Sequence, residues 1–181
     1  GRQTAAMRTQ LRHAWSAGDS QMVVAVVGRT PEAIDAMRGL TAAGLAAETG
    51  RAIRILVHPR AHHIGRARRV VRAMGRFDRL IEDAQVTERL DEPAAALTGA
   101  DAALALAGCG ERGVAWAMAC GLAIVADHHA PLVEHERTGL IVDPTDRALA
   151  AAVRRLHDDP PLRRRLGQAA ARTIADHPTY Q

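Results

Sequence analysis

The chain has 181 residues, 48% of them hydrophobic, enough to bury one sizeable core. Its formal charge is +4 and all 24 basic residues are arginine, but the only aromatic residues are Trp15, Phe77, Trp116 and Tyr180. The stacking platforms that single-stranded nucleic-acid binding needs are therefore missing, and nucleic acid is not an expected partner.

Cys109 and Cys120 form neither a CxxC motif nor a disulfide framework, which fits a reducing compartment. No run is apolar and long enough to span a membrane, and no secretory signal opens the chain, so a cytoplasmic location is expected.

Residues 1–10 read as a polar lead-in, and residues 11–181 as one domain. "MVVAVVG" at 22–28 is a continuous apolar run ending in glycine, and the segment from Pro31 to Gly50 follows with helical periodicity: strand, then helix. The unit recurs. "IRILVHP" at 53–59 precedes an arginine-rich helix at 63–75, and "RLIED" at 79–83 precedes a short helix starting near Glu92 and Pro93. "DAALALAG" at 101–108 is the fourth predicted strand, "RGVAWAMACG" a helix closed by Gly121, "LAIVAD" at 122–127 the fifth strand and "GLIVDP" at 139–144 the sixth. Two helices finish the chain, one with Leu149, Val153 and Leu156 on a face, the other with Leu162, Leu166 and Ile174.

Short buried strands alternating with helices, without hairpin signals, demand right-handed crossovers. The predicted fold is α/β: a Rossmann-like, doubly wound parallel sheet of about six strands with helices on both faces. The arginine clusters at 66–72 and 154–165 read as solvated faces of helices whose other side is apolar.

In such sheets ligands bind beyond the carboxyl ends of the strands, where helix N-termini present backbone N–H groups. The loops that matter are then 28–31, 58–63, 108–114, 127–131 and 143–146. In "GRTPE", Gly28 permits close backbone approach and Arg29 offers a fork suited to phosphate oxygens, although pairing with Glu32 is an equal alternative. The glycines of "GCGERG" free the backbone to wrap an anion near the amides of Gly113 and Val114. The loop after the first strand, "GRTPE", is not the GxGxxG dinucleotide fingerprint, so hydride chemistry with a nicotinamide gets little support. His58, His62 and His63 in one loop and His128 and His129 in another lack nearby carboxylates at ligand spacing, so no metal site is expected. A serine nucleophile is equally unsupported: Ser16 and Ser20 both precede the first strand.

The stretch "MACGLAIVAD", followed by "PLVEHERTGLIVDPTDRALAAAVRRLHDDPPLRRRLGQAAAR", covers most of 118–172 and resembles the C-terminal half of group 1 glycosyltransferases of the retaining GT-B type. "LRHAW" and "VVAVVGR" at 11–29 resemble the start of the same donor-binding domain. The resemblance implies transfer of a sugar from a nucleotide-sugar donor, with no cofactor and no metal. It also implies an acceptor-binding N-terminal domain as the missing partner, so that this part alone would not turn over. The polar start fits an excised domain, and the tail from Thr173 is where the last helix of the family crosses back to that partner.

Carried over position by position, the implied donor-binding set is Gly28, Arg29, Glu111, Arg112, Gly113, Val114 and Trp116. Arg29 matches the arginine that meets the diphosphate, but the lysine that follows it in the family has no counterpart in "TPEAIDAM". Of the two family glutamates seven residues apart, the first falls on Gly108, with Glu111 a replacement in a tighter loop. The second, which holds the ribose hydroxyls, falls on Trp116. An indole there either stacks on a ring or is buried in the core, and its apolar neighbours place it at the border of core and cleft. Where the family often has a glycine pair after the fifth strand, this chain has His128, His129 and Ala130. The alternative reading is a catalytically degenerate binding or scaffold module of the same fold.

Overall fold

The computed structural model describes residues 2–27, 33–48, 52–57, 69, 85–86, 93–106, 109–127 and 130–177. In chain order the elements are α1 (Arg2–Ala14), β1 (Met22–Val27), α2 (Ala33–Ala47), β2 (Ile53–Val57), β3 (Gln85–Val86) and α3 (Pro93–Leu97). They continue with β4 (Ala102–Ala105), α4 (Glu111–Ala119), β5 (Ala123–Ala126), β6 (Gly139–Ile141), α5 (Asp146–Asp158) and α6 (Pro160–Ala175).

The six strands form one sheet in the order β3-β2-β1-β4-β5-β6, and every pairing is parallel. Val24 pairs with Ile55 on one side of β1 and Val26 with Leu104 on the other. The chain thus starts in the middle, builds outward through β2 and β3, then returns to add β4, β5 and β6 on the opposite side. The expected doubly wound α/β sheet is present, with its topological switch between β1 and β4.

All six residues of β1 are buried because helices cover both faces. Met22, Val24 and Val26 join Leu40 of α2, Leu149, Val153 and Leu156 of α5, and Leu166 of α6 in one core. Val23, Ala25 and Val27 join Trp15, Val114, Ala117 and Met118 of α4, and Ile174 of α6 in the other. Each fully buried leucine contributes about 1.5–3 kcal/mol, so the two predicted apolar faces of the last helices are what clamp them to the sheet. Side-chain caps set where those helices begin: Thr145 Oγ1 accepts from Ala148 N at 3.1 Å, and Asp159 Oδ1 accepts from Leu162 N at 2.8 Å.

Two expectations about the elements change. The third strand lies at Gln85–Val86, a few residues after "RLIED", and residues 79–83 lie outside the described residues. The polar lead-in is helical and forms one element with residues 11–14, since α1 runs from Arg2 across residue 10 to Ala14. Ion pairs anchor it alongside the packing of Leu11 against the core. Asp101, just before β4, accepts from Arg8 Nη2 at 2.6 Å, Arg12 Nη1 at 2.9 Å and Val23 N at 2.8 Å, fastening α1 to two strands. Of the predicted helix 63–75 only Arg69 is described, and it is helical.

Candidate functional site

The switch point opens at the carboxyl ends of β1 and β4, which finish at Val27 and Ala105. Gly28, Arg29 and the rest of the loop after β1 lie outside the described residues, as do Gly108, His58, His62, His63, His128 and His129. What can be placed is the entry to α4, the end of β5 and the start of α5.

Gly110 caps α4 with an extended backbone, φ −70° and ψ 157°, and brings no side-chain acceptor to the helix start. Its carbonyl oxygen accepts from Gly113 N at 3.0 Å and from Val114 N at 3.4 Å. This revises the expectation that these two amides face an anion, because the first turn of the helix already engages them. The N–H groups earlier in the turn are the ones a helix directs out of its N-terminus. Val114 is fully buried, so its side chain is core, whereas the Glu111 and Arg112 side chains are exposed.

Trp116 is 38% exposed, which overturns burial as the reason for its presence. The buried face of α4 is Val114, Ala115, Ala117 and Met118. That face leaves position 116 on the outward side, one turn beyond Arg112. Cys120 caps the other end of the helix, and Gly121, at φ +73°, turns the chain into β5.

Asp127 follows β5 and is 1% exposed. Arg38 of α2 donates to it through Nη1 and to Asp146, the first residue of α5, through Nε at 3.4 Å. Burial works against the Arg38 charge, but the hydrogen bond and charge of Asp127, helped by Asp146, outweigh it and push the guanidinium above its ordinary pKa. Sequence reasoning missed this cluster. Its one trace was an arginine in an otherwise apolar part of the second helix, "MRGLTAAGLAA", paired with an aspartate at a strand end.

Beyond Ala130, a compact turn carries the chain to β6. The buried Thr138 hydroxyl accepts from Glu134 N at 2.8 Å, and His135 Nδ1 accepts from Ile141 N at 2.9 Å. These bonds fix the turn "EHERTG", whose Glu134, His135 and Arg137 side chains are exposed. A groove of about 300 Å³ lies elsewhere, along α1, lined by Arg8, Thr9, Arg12, His13, Ala17 and Asp19. It borders Asp101 at the amino ends of the strands, where Arg8 and Arg12 are engaged by that carboxylate and by backbone carbonyls.

Among the described residues no group of three or more His, Cys, Asp or Glu is placed to hold a metal ion. Among them, too, no helix is long and apolar enough to cross a membrane.

The structure is similar to that of WaaG, a glycosyltransferase involved in lipopolysaccharide biosynthesis, with a TM-score of 0.78 and 15% identity over 96% of this chain and 48% of that one. It is similar to Anabaena Alr3699/HepE in complex with UDP, with a TM-score of 0.76 and 15% identity over 94% of this chain and 48% of that one. The C-terminal domain of the group 1 family glycosyl transferase LpcC from Francisella tularensis is matched over 91% of its length and 93% of this chain, with a TM-score of 0.69 and 15% identity. The chain spans about half the length of several of these structures, and of the Rickettsia africae glycosyltransferase it covers 46%. No curated protein is matched by sequence. The family described as glycosyl transferases group 1, by contrast, matches residues 21–159, a span that takes in all six strands and the whole of α5. This chain belongs to the group 1 glycosyl transferases.

Proposed function

We propose that the chain is the nucleotide-sugar-binding part of a glycosyltransferase, acting in the cytoplasm with an acceptor-binding part that closes over it. The observation that carries this reading is the switch point between β1 and β4, with the Gly110-capped N-terminus of α4 at its mouth. That is where an α/β sheet of this order receives a phosphorylated ligand. Support comes from the neighbour solved with UDP and from the half-length coverage of full-size neighbours.

In this reading Arg29, following β1, and the outward amides at the start of α4 meet the charge that develops on the departing diphosphate. The chemistry is electrostatic stabilisation rather than acid–base catalysis, and no cofactor or metal is called for. Retention of configuration and the involvement of Gly28, Glu111 and Arg112 rest on the family resemblance. Isothermal titration with UDP, GDP and ADP and their sugar conjugates tests the reading directly. One nucleotide should bind, and Arg29→Ala should weaken it by about 1.5–3 kcal/mol, the range for a charge-assisted hydrogen bond, without changing the circular dichroism. Absence of binding across the panel would count against the reading.

A second reading, a degenerate module that binds without transferring, is favoured by one observation. Trp116 is exposed where the resemblance puts the ribose-holding carboxylate, and an indole accepts no hydroxyl hydrogen bond.

A further inference from the structure

One side chain ties together the rim beside the switch point. Arg38 reaches from the second turn of α2 to Asp127, at the end of β5, and to Asp146, at the start of α5. Its own side chain is 18% exposed, and that of Asp127 is 1% exposed. The third nitrogen, Nη2, is buried and has no hydrogen-bond partner among the described residues. A buried guanidinium N–H without an acceptor is costly, and a buried ion pair is itself a weak source of stability compared with apolar residues of the same volume. The cluster is better explained by the geometry it fixes than by the stability it adds.

Among the described residues, two of the three guanidinium nitrogens of Arg38 are engaged by the carboxylates of Asp127 and Asp146. Its influence passes through the residue it holds. Asp127 directly follows β5, and β5 lies directly beside β4 in the sheet.

We infer that Arg38 is a positioning residue: by bridging Asp127 to Asp146 it sets the β5 end of the donor site. This rests on the donor-binding reading above.

The test uses the 181-residue chain and a neutral pair, Arg38→Met with Asp127→Asn, which removes both buried charges at once. Melting temperature, nucleotide affinity for UDP, GDP and ADP, and amide hydrogen exchange across 127–133 are measured together. The expected result is a folded protein with affinity about tenfold weaker, the equivalent of one lost polar interaction, and faster exchange across 127–133. A residue that only stabilises the fold would lower the melting temperature and leave the affinity of the folded protein unchanged. If the neutral pair does not fold, Arg38→Lys, which keeps the charge but not the fork, carries the same expectations. A folded variant with wild-type affinity overturns the positioning role alone. A wild-type chain that binds none of the three nucleotides overturns the donor reading instead, and unchanged exchange across 127–133 in the variant then overturns the inference as well.

Discussion

A Cβ placed on Gly167 of α6 would stand 2.0 Å from the carbonyl oxygen of Gly121, the residue that turns the chain from α4 into β5. The helix and the turn touch backbone to backbone, and this contact brings α6 close enough to cover β5. Because the obstacle is backbone, it cannot move aside as a side-chain tip would. Gly167→Ala should therefore lower stability by about 1–3 kcal/mol through overpacking, read from urea unfolding. A variant as stable as the parent would mean that α6 can slide.

Asp101 offers a second structural test. Asp101→Asn keeps the shape but removes the charge that both Arg8 and Arg12 address, and the Arg12 side chain is only 8% exposed. Arg12 retains carbonyl acceptors at Gly18, Gln21 and Gly99, which limits the damage. The expected loss is about 2–3 kcal/mol, with α1 becoming the first segment cut in limited proteolysis. Resistance of α1 equal to wild type would show that the ion pairs do not anchor it.

Trp116→Glu separates the two functional readings. At an exposed position the carboxylate stays hydrated, so stability should change by about 1 kcal/mol or less. If the site is a vestige of one that held ribose, titration calorimetry should show tighter nucleotide binding, because a carboxylate accepts from two hydroxyls where the indole accepts none. A stable variant without that gain would remove the ribose role from this position.

Cys120 supplies a pH dependence. Burial disfavours its thiolate and pushes the thiol up from its ordinary value, so the folded state holds this proton more tightly than the unfolded state. The contribution is intact below the unfolded pKa, about 8.5, and is lost as pH rises from there through the folded value. Wild-type stability should fall between about pH 7.5 and about pH 9.5 more steeply than that of Cys120→Ala, measured by urea unfolding at both. Parallel slopes would mean that the thiol ionises alike in both states.

The sequence by itself determined the layering. "MVVAVV" could only be a strand buried on both faces, and Leu149, Val153 and Leu156 could only be one side of a helix, because these signals are local and periodic. The family was legible too, since "MACGLAIVAD" and "HERTGLIVDP" report a turn, two strands and their spacing along the chain. Tertiary structure decided the rest. Every residue of "VAWAMA" except the indole is small or aliphatic, so sequence could not say which side of α4 faces out. Packing against the sheet and α6 buried Val114, Ala115, Ala117 and Met118 and left Trp116 in solvent. The amides of Gly113 and Val114 looked available until the turn closed on Gly110. Arg38, Asp127 and Asp146 meet across separations of 89 and 108 residues, as Arg8 and Arg12 meet Asp101 across 93 and 89. No periodicity encodes such meetings, because ion pairs of this kind exist only once the strand order has brought distant loop ends to the same edge of the sheet.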